Sequence, residues 1–269
     1  MSVETASVSS ARSAAYGGVV RPVGLGRAAA GSEVSATRPK PSPDGAWFIG
    51  DSTPPVRGFL HTPGAPSGDA LVLTHGAGSD CQSPLLVVVA TAFAEGGFTV
   101  LRCDLPYRQK RRHGPPLRGE DRLDREGLRN AIAALNGLDS KPHRVLLGGH
   151  SYGGRQASLL VAEDAGAADG LLLLSYPLHP PQRPAQLRTK HFPALREAAL
   201  FVHGTRDPFA SSEEIRAAIE LIPARTSLVS LEGAGHSLLT GKSSGREELH
   251  RIAAKIRDAA LTFFGKGEL

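Results

Sequence analysis

Short apolar runs alternate with longer stretches of helical periodicity from about residue 56 onward. The apolar runs predict strands and the periodic stretches predict helices, the order typical of βα units. The predicted strands cover 56–61, 70–74, 98–103, 144–148, 170–175, 199–203 and 227–231, and the predicted helices cover 84–95, 127–138, 155–163, 211–221 and 245–264. Strands without polar residues are covered on both faces. We therefore expect a three-layer α/β fold with a mostly parallel central sheet.

The N-terminal 45 residues lack this periodicity. They are rich in Ser, Ala, Gly, Arg and Pro, which predicts a disordered extension over residues 1–45 and a single domain over 46–269. Few acids and scattered arginines are also typical of an organelle transit peptide, an alternative that composition alone leaves open. A domain of this length buries enough apolar surface to fold without disulfides or a structural metal.

One predicted strand runs directly into a glycine-flanked serine. Residues 144–148 are followed by G-H-S-Y-G at Gly149–Gly153 and then by a predicted helix. A strand, G-x-S-x-G and a helix form a nucleophile elbow, in which a sharp turn exposes the serine hydroxyl and the glycines let the two backbones approach closely. Ser151 is therefore the candidate nucleophile.

A second G-x-S-x-G occurs at Gly241–Gly245, around Ser243. No strand abuts that turn and no candidate base follows it, so the context favours Ser151. The Gly-Lys-Ser at the start of the same segment resembles part of a phosphate-binding P-loop. That motif needs a glycine five positions before Gly241, where His236 stands, so a nucleotide site is disfavoured.

Two later strands are each followed by a residue that can activate a serine. Asp207 follows strand 199–203, and His236 follows strand 227–231. The order Ser, Asp, His is that of an α/β-hydrolase triad. His236 would act as the general base, and Asp207 would hold the imidazole tautomer and stabilise the imidazolium.

Acyl transfer also needs hydrogen-bond donors for the developing oxyanion. Strand 70–74 ends in the glycine-rich sequence H-G-A-G, so by position the backbone amide of Ala77 is the first candidate donor. The amide of Tyr152, directly after the nucleophile at the start of a helix, is the second.

Composition and charge narrow the class of function. The net charge is +5, but 31 basic residues are spread along the chain against 26 acidic ones, and no nucleic-acid-binding motif is present. Cys81 and Cys103 are the two cysteines, with neither disulfide nor zinc-ligand spacing, and no cofactor motif is found. Without an apolar run of membrane-spanning length or a signal-peptide pattern, we expect a cytoplasmic protein that binds neither nucleic acid nor membrane.

The motifs together resemble those of the α/β-hydrolase superfamily. Over residues 56–265 the chain is similar to one branch, the hydrolase-like testis-expressed proteins and the hydrolase-like domain of a histone-acetyltransferase complex subunit. The matching segments are Leu73–Gly78, Asp104–Tyr107, Gly148–Arg155, Ser175–His179, Phe201–Asp207 and Gly233–His236. The resemblance implies the fold and a triad at Ser151, Asp207 and His236, but no substrate.

We therefore expect a cofactor-free serine hydrolase that cleaves an ester or related acyl bond through an acyl-enzyme. The alternative is a non-catalytic interaction module of the same fold, since some members of the branch lack an intact triad. Segment 175–198 is short and proline-rich, which predicts an open cleft without a large cap domain. The basic loop 107–125 either recognises an anionic group on a small acyl substrate or is a solvated loop with ion pairs.

Overall fold

The computed structural model of the chain describes residues 45–241 and 245–265. Eight strands form one sheet in the order β1-β2-β4-β3-β5-β6-β7-β8. Their bounds are β1 (Ala46–Gly50), β2 (Val56–His61), β3 (Asp69–Thr74), β4 (Thr99–Cys103), β5 (Arg144–His150), β6 (Gly170–Leu174), β7 (Ala199–Gly204) and β8 (Thr226–Leu231). β1 and β2 are antiparallel to their neighbours, and β3 to β8 all run parallel. The mostly parallel sheet is confirmed.

Helices cover both faces of this sheet. They are α1 (Pro84–Glu95), α2 (Pro106–Lys110), α3 (Asp121–Asn136), α4 (Tyr152–Glu163), α5 (Ser212–Ile219) and α6 (Arg246–Phe264). α1 packs against α6 on one face, and α3 packs against α4 on the other. Alternate residues of β3 enter two separate apolar clusters: Leu71 and Leu73 lie with α1 and α6, whereas Ala70 and Val72 lie with α3 and α4. The three-layer arrangement is confirmed.

The sequence pattern missed β1 and α2, and it predicted α3 and α4 to begin at residues 127 and 155, later than they do. β1 is an edge strand that pairs only with β2, and its apolar run A-W-F-I-G is five residues long and directly follows the proline-rich extension, so it was not assigned to the sheet. α2 is a single turn that begins at Pro106. α3 begins at Asp121, whereas the sequence predicted a start at residue 127. Its first turns are polar, so they lack the apolar periodicity that predicts a helix. Acidic residues near the N-terminus and an Arg125–Asp121 ion pair of 2.9 Å stabilise these turns.

The segment between β6 and β7 contains only one short 3-10 turn, Phe192–Ala194. The rings of Tyr176 and Phe192 have centroids 5.4 Å apart, and both pack against Phe201 of β7. These buried rings anchor the segment to the sheet. No large cap domain covers the carboxyl ends of the strands in the described part of the chain, as the sequence predicted.

Several sequence predictions concern residues beyond this description. Nearly all of the predicted extension 1–45, and Ser243 of the second G-x-S-x-G, lie outside the described residues. Cys81 and Cys103 are described, and both are buried free thiols. Among the described helices, none is both long enough and apolar enough to cross a membrane.

Candidate active site

Ser151 lies on a strained turn between β5 and α4. Its backbone has φ 52° and ψ −114°, which is unusual for a residue with a side chain. A Cβ on Gly149 would approach the Gly153 carbonyl carbon to 2.6 Å, and one on Gly153 would approach the His75 carbonyl oxygen to 2.6 Å. Only glycine fits at these two positions. The turn therefore has the geometry of a nucleophile elbow.

The structure brings the three predicted triad residues into one hydrogen-bonded chain. The Ser151 hydroxyl lies 2.8 Å from Nε2 of His236, and Nδ1 of His236 lies 2.8 Å from Oδ2 of Asp207. A carboxylate accepts hydrogen bonds, so Nδ1 carries the ring proton and Nε2 is left as an acceptor facing the serine hydroxyl. This tautomer can take a proton from Ser151.

Asp207 and His236 are held from several directions. The Asp207 side chain is fully buried, and its Oδ1 accepts the Phe209 amide at 2.9 Å. The Phe209 ring lies 4.3 Å from the His236 ring, centroid to centroid. The His236 side chain is 25% exposed, so solvent or a small molecule can reach it while Asp207 stays shielded from water.

His150, directly before the nucleophile, contributes to this arrangement in a way that the sequence did not indicate. Its Nε2 donates to the backbone carbonyl of His236 over 2.7 Å, which fixes the loop that carries the base. Burial lowers the pKa of His150 to about 4, so the ring is neutral at pH 7. The only sequence signal was its place inside the G-x-S-x-G motif.

Buried neutral histidines predict loss of stability on acidification. Burial lowers the pKa of His61 to about 3 and those of His150 and His191 to about 4, against about 6.5 in an unfolded chain. Between pH 6.5 and 4 the unfolded state binds more protons, so the free energy of unfolding must fall as the pH falls.

Urea unfolding from pH 7 to pH 4 checks this prediction. His191→Gln should flatten the pH dependence by up to about 1.4 kcal/mol per pH unit, the contribution of one proton. His250→Gln, at an exposed position of α6, is the matched control and should keep the wild-type slope. Equal slopes for wild type and His191→Gln would contradict the prediction.

Both candidate oxyanion donors adjoin Ser151. A Cβ on Gly76 would lie 3.5 Å from the Ser151 Cβ, so the turn that carries Ala77 packs directly against the nucleophile. Tyr152 is the first residue of α4, where a backbone amide has no acceptor within the helix. β3 and β5 are adjacent and parallel, which is why these two groups meet at one edge of the sheet.

Two side chains from α2 hold the turn that carries Ala77. The Tyr107 hydroxyl donates to the Ala77 carbonyl at 2.9 Å. Arg108, which is only 6% exposed, donates to four backbone carbonyls, those of Ala77, Ser79, Arg111 and Gly114, over 2.7–3.1 Å. Its guanidinium thus binds the backbone and is not available to a ligand.

Tyr152 is fixed by a buried acid. Its hydroxyl donates to Oδ2 of Asp124 at 2.8 Å, and the Tyr107 amide donates to the other carboxylate oxygen at 3.1 Å. Burial raises the pKa of Asp124. One carboxyl group therefore links the two sides of the proposed oxyanion site, and neither Asp124 nor Tyr107 was identified from the sequence.

The basic loop 107–125 is partly committed to internal contacts. Besides Arg108, Arg111 pairs with Glu120 at 2.7 Å and Arg125 pairs with Asp121 and Glu163, both at 2.9 Å. Three of its seven cations thus have internal partners, as expected for a solvated loop with ion pairs and not for a loop that binds an anionic substrate group. The other four, all exposed, are Lys110, Arg112, Arg118 and Arg122.

A second serine–histidine contact does not form another triad. Ser158 and His191 Nε2 are 2.8 Å apart, but Ser158 is fully buried and its hydroxyl donates to the Arg155 carbonyl at 3.0 Å. Its oxygen therefore accepts the His191 N–H, so His191 is not acting as a base toward it. Within the described residues, no group of three or more His, Cys, Asp or Glu side chains could hold a metal ion.

Comparison with known families agrees with the fold. The model of a family described as an alpha/beta hydrolase domain matches residues 67–264, about three quarters of the chain. The chain belongs to the α/β-hydrolase family. The narrower branch that the sequence motifs resemble is not distinguished by this match.

Solved structures of other α/β hydrolases share the fold at low sequence identity. An alpha-beta serine hydrolase homologue from Coxiella burnetii matches with a TM-score of 0.62 and 15% identity, over 85% of this chain and 99% of that one. A dienelactone hydrolase from Anabaena variabilis gives 0.61 and 22%, over 78% and 92%. A serine hydrolase without a lid from Xanthomonas campestris gives 0.61 and 14%, over 84% and 97%. At these identities the likeness concerns the fold alone.

Proposed function

We propose that this α/β hydrolase is a serine hydrolase that cleaves an ester or related acyl bond through an acyl-enzyme. The observation that carries the proposal is the unbroken chain Ser151–His236–Asp207, with 2.8 Å at each step, on a strained elbow. A structural serine needs neither a positive φ nor a base with a buried carboxylate behind it. Both features have a cost that nucleophilic catalysis explains.

The geometry supports a complete reaction. As the Ser151 oxygen bonds to the acyl carbon, His236 Nε2 takes the hydroxyl proton and Asp207 stabilises the imidazolium. The amides of Ala77 and Tyr152 would stabilise the oxyanion. His236 then protonates the leaving group as its bond to the acyl carbon breaks. In the second half His236 Nε2 takes a proton from a water, whose oxygen bonds to the acyl carbon. The bond between that carbon and the Ser151 oxygen then breaks, the acid leaves, and His236 returns the proton to the serine oxygen.

The proposed substrate is a small, polar acyl compound. The triad is partly exposed and no cap domain built from the described residues covers it, so the site is open and not an enclosed apolar tunnel. Structural neighbours include Est1E from Butyrivibrio proteoclasticus, solved with ferulic acid bound, and a dienelactone hydrolase. We keep two predictions from the sequence as parts of this proposal, the cytoplasmic location and the resemblance to the testis-expressed and histone-acetyltransferase-subunit branch.

Labelling with a fluorophosphonate tests the proposal. The probe should modify Ser151 of the folded wild-type protein, identified by mass spectrometry of the labelled peptide, and should not label Ser151→Ala. Absence of labelling in a protein with a cooperative melting transition would overturn the proposal in favour of the non-catalytic interaction module.

Arg108 provides a separate test of the oxyanion site, as a positioning residue. Arg108→Met removes the hydrogen bonds that hold the Ala77 and Ser79 carbonyls, so the turn should lose its fixed geometry. We expect kcat for a neutral acetate ester to fall about 10–100-fold with little change in KM, because the lost interaction is specific to the transition state.

The exposed Arg112→Met in the same loop is the matched control and should retain wild-type kcat. Arg108→Lys should recover part of the activity, since an ammonium can still donate to some of the carbonyls. An unchanged kcat in folded Arg108→Met would show that this arginine does not organise the oxyanion site.

A further inference from the structure

Arg155 lies one helical turn after the nucleophile, on the same side of α4. Its amide donates to the Ser151 carbonyl at 3.0 Å. Side chains on a helix point back toward its N-terminus and cover the preceding turn. An arginine side chain is long enough to span that turn of about 5.4 Å. From this geometry we expect the Arg155 side chain to extend toward the end of the helix that carries Ser151.

The Arg155 guanidinium has no acidic partner among the described residues. Its Nε atom is buried and has no hydrogen-bond partner there, and the group takes part in no ion pair. The acid whose pKa its charge influences is Asp121, which already pairs with Arg125 at 2.9 Å. A buried donor without a partner is costly and rare in folded proteins.

A second arginine approaches from the segment that follows β6. The Tyr176 hydroxyl donates to the Arg188 carbonyl at 2.9 Å, and Nη1 of Arg188 donates to the Pro177 carbonyl at 3.1 Å. These contacts anchor Arg188 beside the buried ring of Tyr176. Burial, followed by the charge of Arg155, lowers the pKa of Arg188, as expected for two guanidinium groups close together and partly removed from water.

His191 hydrogen-bonds to Ser158, three residues after Arg155 on α4, but it supplies no negative charge. Burial and the charge of Arg155 lower its pKa to about 4, so it is neutral at pH 7. Its Nε2 hydrogen is already donated to Ser158. No ion pair balances the positive charges of Arg155 and Arg188 within residues 45–241 and 245–265.

We infer that Arg155 and Arg188 form an anion-binding subsite at the edge of the Ser151 cleft, which takes a carboxylate or phosphate group of the substrate. The inference deepens the proposed function and rests on it for the identity of the cleft. A guanidinium presents two parallel N–H donors that match both anions, and two such groups select charge over a neutral polar group. The subsite differs from the basic loop 107–125, in which Arg108, Arg111 and Arg125 have internal partners.

Binding to the inactive Ser151→Ala protein tests the subsite without turnover. The probes are 4-acetoxybenzoate, 4-acetoxyphenyl phosphate and the neutral 4-acetoxybenzamide, titrated by ligand-observed NMR. We expect both anions to bind about tenfold or more tightly than the amide, and Arg155→Gln or Arg188→Gln to remove that preference. The order of the two anions shows whether the site prefers carboxylate or phosphate.

Arg251→Gln on α6 is the matched control, an exposed arginine remote from these contacts, and should leave all three affinities unchanged. Thermal melting of each variant establishes that it is folded, and Arg155→Lys provides a second variant that keeps the charge if glutamine disturbs the helix. Equal binding of anions and amide, or an anion preference that survives both glutamine variants, would overturn the subsite.

Hydrolysis of the same three esters by the active protein separates this inference from the proposed function. In one outcome Ser151 is labelled and 4-acetoxybenzamide is hydrolysed, but Arg155→Gln leaves the ratio of the kcat/KM values for 4-acetoxybenzoate and 4-acetoxybenzamide unchanged. That outcome would show that the subsite alone is wrong. If no ester is hydrolysed and no serine is labelled, the proposed function is wrong. The binding titration still decides the subsite in that case.

Discussion

Replacing Ser151 with alanine should lower the rate of ester hydrolysis by about 10⁶-fold, to a level set by the remaining binding groups and oxyanion donors. The hydroxyl oxygen forms the bond of the acyl-enzyme, and its proton is the one that Nε2 of His236, 2.8 Å away, accepts. Removal of one oxygen at this partly exposed position should leave the fold intact. Steady-state kinetics with a chromogenic acetate ester and a melting curve measure the two effects.

Ser243→Ala is the matched control because Ser243 stands in the second G-x-S-x-G of the chain. It should keep wild-type kcat and wild-type labelling by the fluorophosphonate. The reverse result, a loss of activity in Ser243→Ala with Ser151→Ala active, would show that the wrong serine was assigned. The pair therefore tests the assignment as well as the mechanism.

Asp207→Asn should lower kcat by about 10⁴-fold while the protein remains folded. The asparagine can still accept the Phe209 amide through its oxygen, which directs its NH2 group toward His236 Nδ1. That contact favours the His236 tautomer with the proton on Nε2, and this nitrogen then cannot accept the Ser151 proton. Single-turnover kinetics on the same acetate ester should place the loss in the acylation step.

Glu232→Gln is the matched control, since Glu232 is an exposed carboxylate four residues before His236 and outside the hydrogen-bonded chain. Its kcat should equal that of the wild type. If Asp207→Asn retained full activity, or Glu232→Gln lost as much, Asp207 would not be the residue that orients the base.

Most of the secondary structure could be predicted from the sequence because buried parallel strands and amphipathic helices differ strongly in hydrophobic periodicity. β6, a glycine followed by four leucines, and the α1 helix are examples where the bounds agree within a residue. β1 was not assigned from the sequence, because its apolar run A-W-F-I-G is short and adjoins the proline-rich extension, and only the pairing with β2 shows that it belongs to the sheet. The order of chemical groups after the strands was also sufficient to select Ser151, Asp207 and His236 for comparison with the structure.

Only the tertiary structure determined how these groups meet. The distances between Ser151, His236 and Asp207 depend on the order and direction of the strands. β5, β7 and β8 run parallel, so the residues that follow them lie at the same carboxyl end of the sheet. The structure also showed that Arg108 binds backbone carbonyls and that Arg155 forms no ion pair with any described residue, a difference between two arginines that the sequence does not reveal. The physical reason is that the sequence specifies which groups can ionise or donate, but a partner distant in sequence is chosen by packing.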